Sequence, residues 1–222
     1  MRVILLGPPG AGKGTQAERI SQALGLTHLA SGDILRAERA RGTEFGRRVA
    51  GYMDAGKLVP DDLMIEAVLL RLPACEVGAL LDGFPRTLAQ AESLDEAIDR
   101  AGQRIDGVVE LQVADDVVLE RITGRRICPE CNRIYHVRFK APAQAGRCDA
   151  DGAILQHRTD DRADVVKRRL QAYYEKSEPL VAYYGAKGLL TRVDAGGSVD
   201  TVTRDVLRAV RGVSLRGAGT SG

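Results

Sequence analysis

The sequence predicts an α/β fold, a doubly wound parallel sheet with two small inserted domains. Short apolar runs alternate with segments of helical periodicity along most of the chain, the pattern left by buried parallel strands joined through crossover helices. The first run, Val3–Leu6, enters the glycine-rich stretch Gly7–Thr15, and Gln16–Ile20 then reads as a helix start. Two stretches, 31 to about 59 and 126 to about 161, break the alternation and mark the insertions.

In chain order, Val3-Ile4-Leu5-Leu6 forms the first strand and His28-Leu29-Ala30 a short second one. Residues 31–59 read as wholly helical, with Gly42, Gly51 and Gly56 as breaks. Ala79–Leu81, Val108–Val113 and Leu189–Val193 supply the remaining strands, and helical patterns lie between them. The second insertion collects Pro129, Pro142, Gly146 and Gly152 with three of the four cysteines. Cys75, alone in a helix-to-strand connection, reads as a small apolar residue. Tyr173, Tyr174, Tyr183 and Tyr184 follow helical spacing around Pro179 and read as packing residues. The divisions are 1–30, 60–125 and 164–213 for the core, 31–59 and 126–163 for the insertions, and 214–222 for a flexible tail.

Hydrophobic content of 44% and charged content of 28% are those of an ordinary globular protein. A net charge of +2 gives no bulk attraction to nucleic acid or membrane. No apolar run approaches the roughly 18 residues of a bilayer span. The N-terminal run lacks a signal-cleavage pattern, so a cytoplasmic location is predicted. There, cysteines more often ligate metals than form disulfides. Arginine outnumbers lysine 26 to 6, so position must carry the case for any one arginine.

Ligands of a doubly wound sheet bind beyond the carboxyl ends of its strands. Three segments fall there: the loop after the first strand, Ser31-Gly32-Asp33, and Asp82-Gly83-Phe84-Pro85-Arg86. The loop is a phosphate cradle, because its glycines let successive N–H groups approach an anion and the helix start adds partial positive charge. Lys13 is spaced to reach the β- and γ-phosphates of a nucleoside triphosphate. The hydroxyl that usually follows that lysine arrives one residue late, at Thr15, which leaves a Mg²⁺ contact by Thr15 open. Asp82, ending a buried strand beside the cradle, reads either as a Mg²⁺ holder through water or as a turn residue before Gly83.

Cys128-Pro129-Glu130-Cys131 and Cys148-Asp149-Ala150-Asp151 enclose sixteen residues, the spacing of a closed tetrahedral Zn²⁺ site. Cys128, Cys131, Cys148 and Asp151 are the expected ligands, with Asp149 as the alternative fourth. Four protein ligands leave no open position, so the ion is expected to be structural. Arg36, Arg86, Arg121, Arg125, Arg158 and Arg169 fall around one sheet edge, where guanidinium forks neutralise phosphate charge. His136, beside Tyr135, reads as the one histidine that could approach a nucleotide.

With these motifs assembled, the chain from Met1 to about Val213 resembles the adenylate kinases of the long bacterial type. The resemblance is carried by Gly7–Thr15, Ser31–Arg36, Asp54–Val59, Leu81–Arg86, Arg121–Arg126 and Arg158–Asp161. It implies a nucleoside-monophosphate domain at 31–59 and a lid at 126–163. It also implies reversible phosphoryl transfer from Mg·ATP to AMP, giving two ADP, by a monomer. By resemblance, Gly10, Gly12, Lys13, Gly14 and Thr15 hold the ATP phosphates, and Arg121 and Tyr135 flank the ATP. Lys13, Arg86, Arg125, Arg158 and Arg169 surround the migrating group. Arg36 and Arg86 grip the AMP phosphate, and Ser31, Lys57, Val59, Gly83 and Gln90 line the AMP pocket, which Arg158 and Arg169 also reach. Gln90 marks a purine acceptor, because its amide both donates and accepts. Two rival readings are a kinase for another nucleotide pair, such as GTP with AMP or a pyrimidine monophosphate acceptor, and a zinc-ribbon nucleic-acid module. Gln90 opposes the pyrimidine acceptor, and the low charge with 4% aromatic content opposes the nucleic-acid module.

Overall fold

The structure is a computed structural model that describes the chain except residues 55–58, 76, 132, 159–160 and 219–222. Five strands form one parallel sheet: β1 (Arg2–Leu6), β2 (Thr27–Ala30), β3 (Ala79–Asp82), β4 (Gly107–Gln112) and β7 (Leu190–Asp194), in the order β2-β3-β1-β4-β7. Register places Asp82 opposite both Leu5 and Ala30, so the loops leaving β1, β2 and β3 emerge side by side.

Alternation along β1 divides the core into two halves. Ile4 and Leu6 face one side, where they pack with Leu29, Leu81, Val108, Leu94, Leu180 and Tyr184. Val3 and Leu5 face the other, among Ala17, Ile20, Val202, Val206 and Val210. The second face is therefore covered by α1 (Lys13–Leu24) and α9 (Val199–Ala218), and the first by α2 (Ser31–Arg41), α4 (Asp61–Leu69), α5 (Leu88–Arg100) and α8 (Pro179–Ala186). A third cluster joins Val118 and Ile122 of α6 (Asp115–Thr123) to Val166 and Leu170 of α7 (Ala163–Lys176).

Cys75 is buried in the first half-core, and its thiol donates to the Arg71 carbonyl at 3.4 Å. Of the tyrosines read as packing residues, Tyr184 is fully buried, and Tyr183 is partly buried with its hydroxyl donating to Asp95.

The first irregular stretch is helical, as its sequence predicts, but Gly51 does not interrupt it. Gly42 ends α2 in a left-handed conformation, whereas Gly51 lies inside α3 (Glu44–Asp54). An interior glycine costs roughly 1 kcal/mol relative to alanine, too little to break a helix whose Phe45 and Val49 are buried. Gly56 lies outside the described residues.

The second stretch holds a small antiparallel pair, β5 (Arg125–Ile127) and β6 (Ile134–His136), extended by bridges from Ile127 to Gln156 and from Arg147 to Ile154. Among the described residues its own buried cluster is Cys128, Tyr135, Cys148 and Leu155, with Ala153 packed against it. The last helix, α9, runs on to Ala218, beyond the core boundary expected at 213. Val202, Val206 and Val210 anchor that helix to the sheet.

Candidate active site

The cradle follows β1. Gly12 caps α1 in the left-handed conformation (φ 92°), and no acidic residue occupies the helix's first turn. The backbone N–H groups that open α1 are thus left for an anion. Gly10 (φ 80°) is required for a second reason: a Cβ there would lie 2.8 Å from Cγ1 of Ile122 on α6.

Lys13 curls over the loop and donates to the carbonyls of Gly7 at 2.7 Å and Pro8 at 2.9 Å. Burial pushes its pKa down to about 8; Asp82 opposes the shift, and Arg86 and Arg169 reinforce it. Lost hydration, with Arg169 adding to it, also lowers Arg86 against the pull of Asp82. Three cations and one carboxylate therefore share the mouth of the cradle, a net positive charge that phosphate would neutralise.

Asp82 lies against the cradle, since a Cβ on Gly14 would sit 3.6 Å from its Oδ2. The same oxygen is 3.3 Å from His28 Nε2. Ser31, which begins α2, is buried and donates to the Gly83 carbonyl at 3.0 Å, and Arg86 Nε donates to that carbonyl at 2.7 Å. Gln90, also buried, accepts from the Arg86 backbone N–H at 2.7 Å. Ser31, Gly83, Arg86 and Gln90 thus form one wall.

Across the site, Arg125 makes a fork to Asp161, with Nε to Oδ2 at 2.9 Å and Nη2 to Oδ1 at 2.5 Å. Arg169 Nη1 lies 3.9 Å from the same carboxylate, which is fully buried. Arg121 donates to the carbonyls of Gly196 and Gly197, in the loop between β7 and α9. Arg158 is exposed at the turn before Asp161, whose N–H donates to the Arg158 carbonyl. Val59 packs at the edge of the first half-core. Lys57 and the side chain of Arg36 lie outside the described residues.

The sulfurs of Cys128, Cys131 and Cys148 and a carboxylate oxygen of Asp151 all lie within 4.8 Å of one another. Two ligands of a tetrahedral Zn²⁺ are separated by roughly 3.8 Å when Zn–S is 2.3 Å, so the set fits one such ion. The N–H of Ala153 first, then the three thiols, hold Asp151 down at about 2. Although a backbone hydrogen bond near Arg133 favours its thiolate, Cys131 is pushed up to about 12 by Asp151, burial and the other two thiols. Such crowding of anionic donors is what a dication relieves. Asp149 lies outside this group, its Oδ1 accepting from Ala143 N–H at 2.8 Å.

Two expectations change. The Tyr135 phenol is buried, accepts from Asp149 N–H at 2.8 Å and lies 3.4 Å from Cys148 Sγ, so the side chain is turned into the thiol cluster. The ring covers the thiol cluster because this insertion has so little else to bury. His136 is also buried: Nδ1 accepts from the N–H groups of Arg138 and Phe139, leaving Nε2 to donate to the Glu120 carbonyl at 3.2 Å. It fastens β6 to α6 and does not face a ligand.

The family model for adenylate kinase matches residues 5–189, most of the chain. The chain belongs to the adenylate kinase family. It is 48% identical over 212 residues to the adenylate kinase of Moorella thermoacetica, covering 95% of this chain and 98% of that one. The adenylate kinase of Salinispora tropica is 47% identical over 216 residues, covering 96% and 100%. That of Methanocella arvoryzae is 44% identical over 213 residues, covering 95% and 99%. The parallel five-stranded sheet is that of the P-loop nucleoside monophosphate kinases.

Three further site residues were given no role by the sequence reading, which named Asp161 only as the end of the Arg158–Asp161 motif. Asp161 holds two arginines, His28 touches Asp82, and Asp61 accepts from Gln90 Nε2 at 2.6 Å. Asp161 carried one signal, an acid placed directly after an arginine-bearing turn. Asp61 reads from sequence only as an acid in the first turn of a helix.

Proposed function

We propose that this chain transfers the γ-phosphoryl group of ATP to AMP, giving two ADP, and that the reaction runs at the carboxyl edge of the sheet. It is a phosphotransferase of the nucleoside monophosphate kinase type, with ATP, AMP and ADP as substrates. The observation that carries the reading is the placement of Lys13, folded over the phosphate loop onto the Gly7 and Pro8 carbonyls with Arg86 and Arg169 close enough to act on its charge. A site with that charge is built for an anion carrying several negative charges.

Catalysis then comes from position and charge. The AMP phosphate is already a nucleophilic anion, so no strong base is needed. Lys13, Arg86, Arg125, Arg158 and Arg169 spread the charge of the migrating group, and Asp161 keeps Arg125 and Arg169 side by side. Gly10, Gly12, Gly14 and Thr15 bind phosphate through the backbone, and Arg121 lies at the ATP base. Ser31, Arg36, Lys57, Val59, Gly83 and Gln90 take the AMP. Mg²⁺ arrives with ATP and supplies further charge neutralisation; Asp82 would hold it through water. Residues 31–59 and 126–163 act as covers that exclude water as a competing acceptor. Zn²⁺ at Cys128, Cys131, Cys148 and Asp151 would serve structure only. A cytoplasmic monomer that engages neither nucleic acid nor membrane completes the reading; among the described residues no helix is long and apolar enough to cross a membrane.

A coupled assay with ATP and AMP, and with each omitted, tests the proposal. Two ADP per ATP consumed, only when both are present, is the expected result. ADP release from ATP alone at the same rate would overturn it.

A further inference from the structure

Gln90 is held by a ring of hydrogen bonds that spans two elements. Its Oε1 accepts from the Arg86 backbone N–H at 2.7 Å, and its Nε2 donates to Asp61 Oδ1 at 2.6 Å. Asp61, at the first position of α4, is itself fixed, because its Oδ2 accepts from Thr87 Oγ1 at 2.8 Å. Thr87 caps α5 by accepting from the Gln90 N–H at 3.2 Å, which closes the ring.

The chemistry of the partners decides which way the amide points. An ionised carboxylate only accepts and a backbone N–H only donates. Turning the amide over would set its oxygen against Asp61 and its NH₂ against the Arg86 N–H, losing both bonds at once. Gln90 is buried, so water does not compensate. The amide therefore keeps one N–H and one oxygen lone pair in reserve, side by side and in a fixed sense.

We propose that Asp61 is a specificity-determining positioning residue, which locks the Gln90 amide in the sense that matches adenine. The inference rests on the reading of Gln90 as the group that meets the acceptor base. Adenine presents an accepting N1 beside a donating 6-amino group. Hypoxanthine has the same size but a donating N1–H beside an accepting O6. A glutamine free to turn over serves either purine; a locked one serves adenine alone. The polarity of the pocket is thus set by a carboxylate that need not touch the nucleotide.

The test uses the full-length enzyme with ATP as donor and AMP or IMP as acceptor, comparing kcat/KM for the two. Asp61→Asn keeps the shape but can donate or accept, so it removes the carboxylate's half of the lock and leaves only the Arg86 N–H to oppose the turned amide. The AMP-to-IMP preference should fall about tenfold, through a gain with IMP as well as a loss with AMP, while KM for ATP is unchanged. Asp61→Ala, which also removes that half, should move the ratio the same way. In a Gln90→Ala background Asp61→Asn should have no further effect on the ratio. An unchanged ratio in folded Asp61→Asn and Asp61→Ala, with only activity or melting temperature lowered, would overturn the proposal and leave Asp61 a helix-start residue. If Gln90→Ala itself keeps the wild-type ratio, the acceptor-pocket reading falls and the proposal with it. A ratio that collapses in Gln90→Ala but not in the Asp61 variants rejects the proposal alone.

Discussion

Lys13 shows how much one side chain can report. Burial first, then Arg86 and Arg169 against the pull of Asp82, lowers its pKa to about 8. Bound phosphate favours the ammonium and raises that value, so nucleotide binding should draw a proton from solvent between the two values. At pH 6 the group is protonated in both states and no uptake is expected; at pH 8 to 9 a fraction of a proton should be taken up. Calorimetry in buffers of different ionisation enthalpy measures it, and equal apparent enthalpies at pH 8.5 would contradict the assignment. Lys13→Ala should lower kcat by about 10²–10³ with circular dichroism unchanged, since the lost contact is to charge that moves in the transition state. Asp161 offers the complementary case. It is fully buried and takes the guanidinium fork of Arg125, so Asp161→Ala strips that fork of its carboxylate and should cost about 3 kcal/mol, read by denaturant unfolding. Lys13 was legible in the sequence because its loop has a fixed spacing. Asp161 and Asp61 were not, because their value lies in partners 36 and 29 residues away.

At the scale of elements, strands and cysteine turns read well and boundaries read poorly. The five apolar runs became the five sheet strands because burial on both faces leaves a local mark. The β5–β6 pair left none: three-residue strands around a metal-ligand turn have no room for a period. Gly124 sits at the joint between α6 and that pair, and its role is one of space. A Cβ there would lie 2.2 Å from His136 Nε2, the atom that reaches the Glu120 carbonyl. Gly124→Ala should cost roughly 1–3 kcal/mol and raise KM for ATP; trimming the ring with His136→Ala in the same chain should recover part of the stability, which a thermal melt of the three variants resolves. Metal analysis should find about one zinc per chain. Chelation should lower the melting temperature, because the cluster around Tyr135 and Leu155 cannot hold this element alone, yet activity well below that temperature should persist. Total loss of activity from folded, metal-free protein would rule out a purely structural ion.

For the whole molecule, the fold class follows from the alternation alone, whereas the convergence of the site depends on strand order. The sequence reading set the strand of Asp82 beside the cradle but did not say that β4 flanks β1 on the other side; the order β3-β1-β4 sets Asp82 against the cradle. The helical and irregular insertions stand at the edge of that sheet, and both should close when the two nucleotides are bound. Hydrogen exchange should slow in 31–54 and 125–158 on adding a bisubstrate analogue, with little change in β1, β3 and β4. Uniform slowing across the sheet instead would argue against separate covers.

The packing of α1 on α9 ties the phosphate loop to a distant part of the chain. Ala17 and Ile20 of α1 pack with Val202, Val206 and Val210 of α9, and Arg19 pairs with Asp200 at 2.6 Å. That ion pair joins residues 181 apart in sequence, so the helix that springs from the cradle is backed by a segment that no local interaction brings to it. A single proteolytic cut between α8 and α9 should therefore loosen the cradle while leaving every residue of the phosphate loop in place.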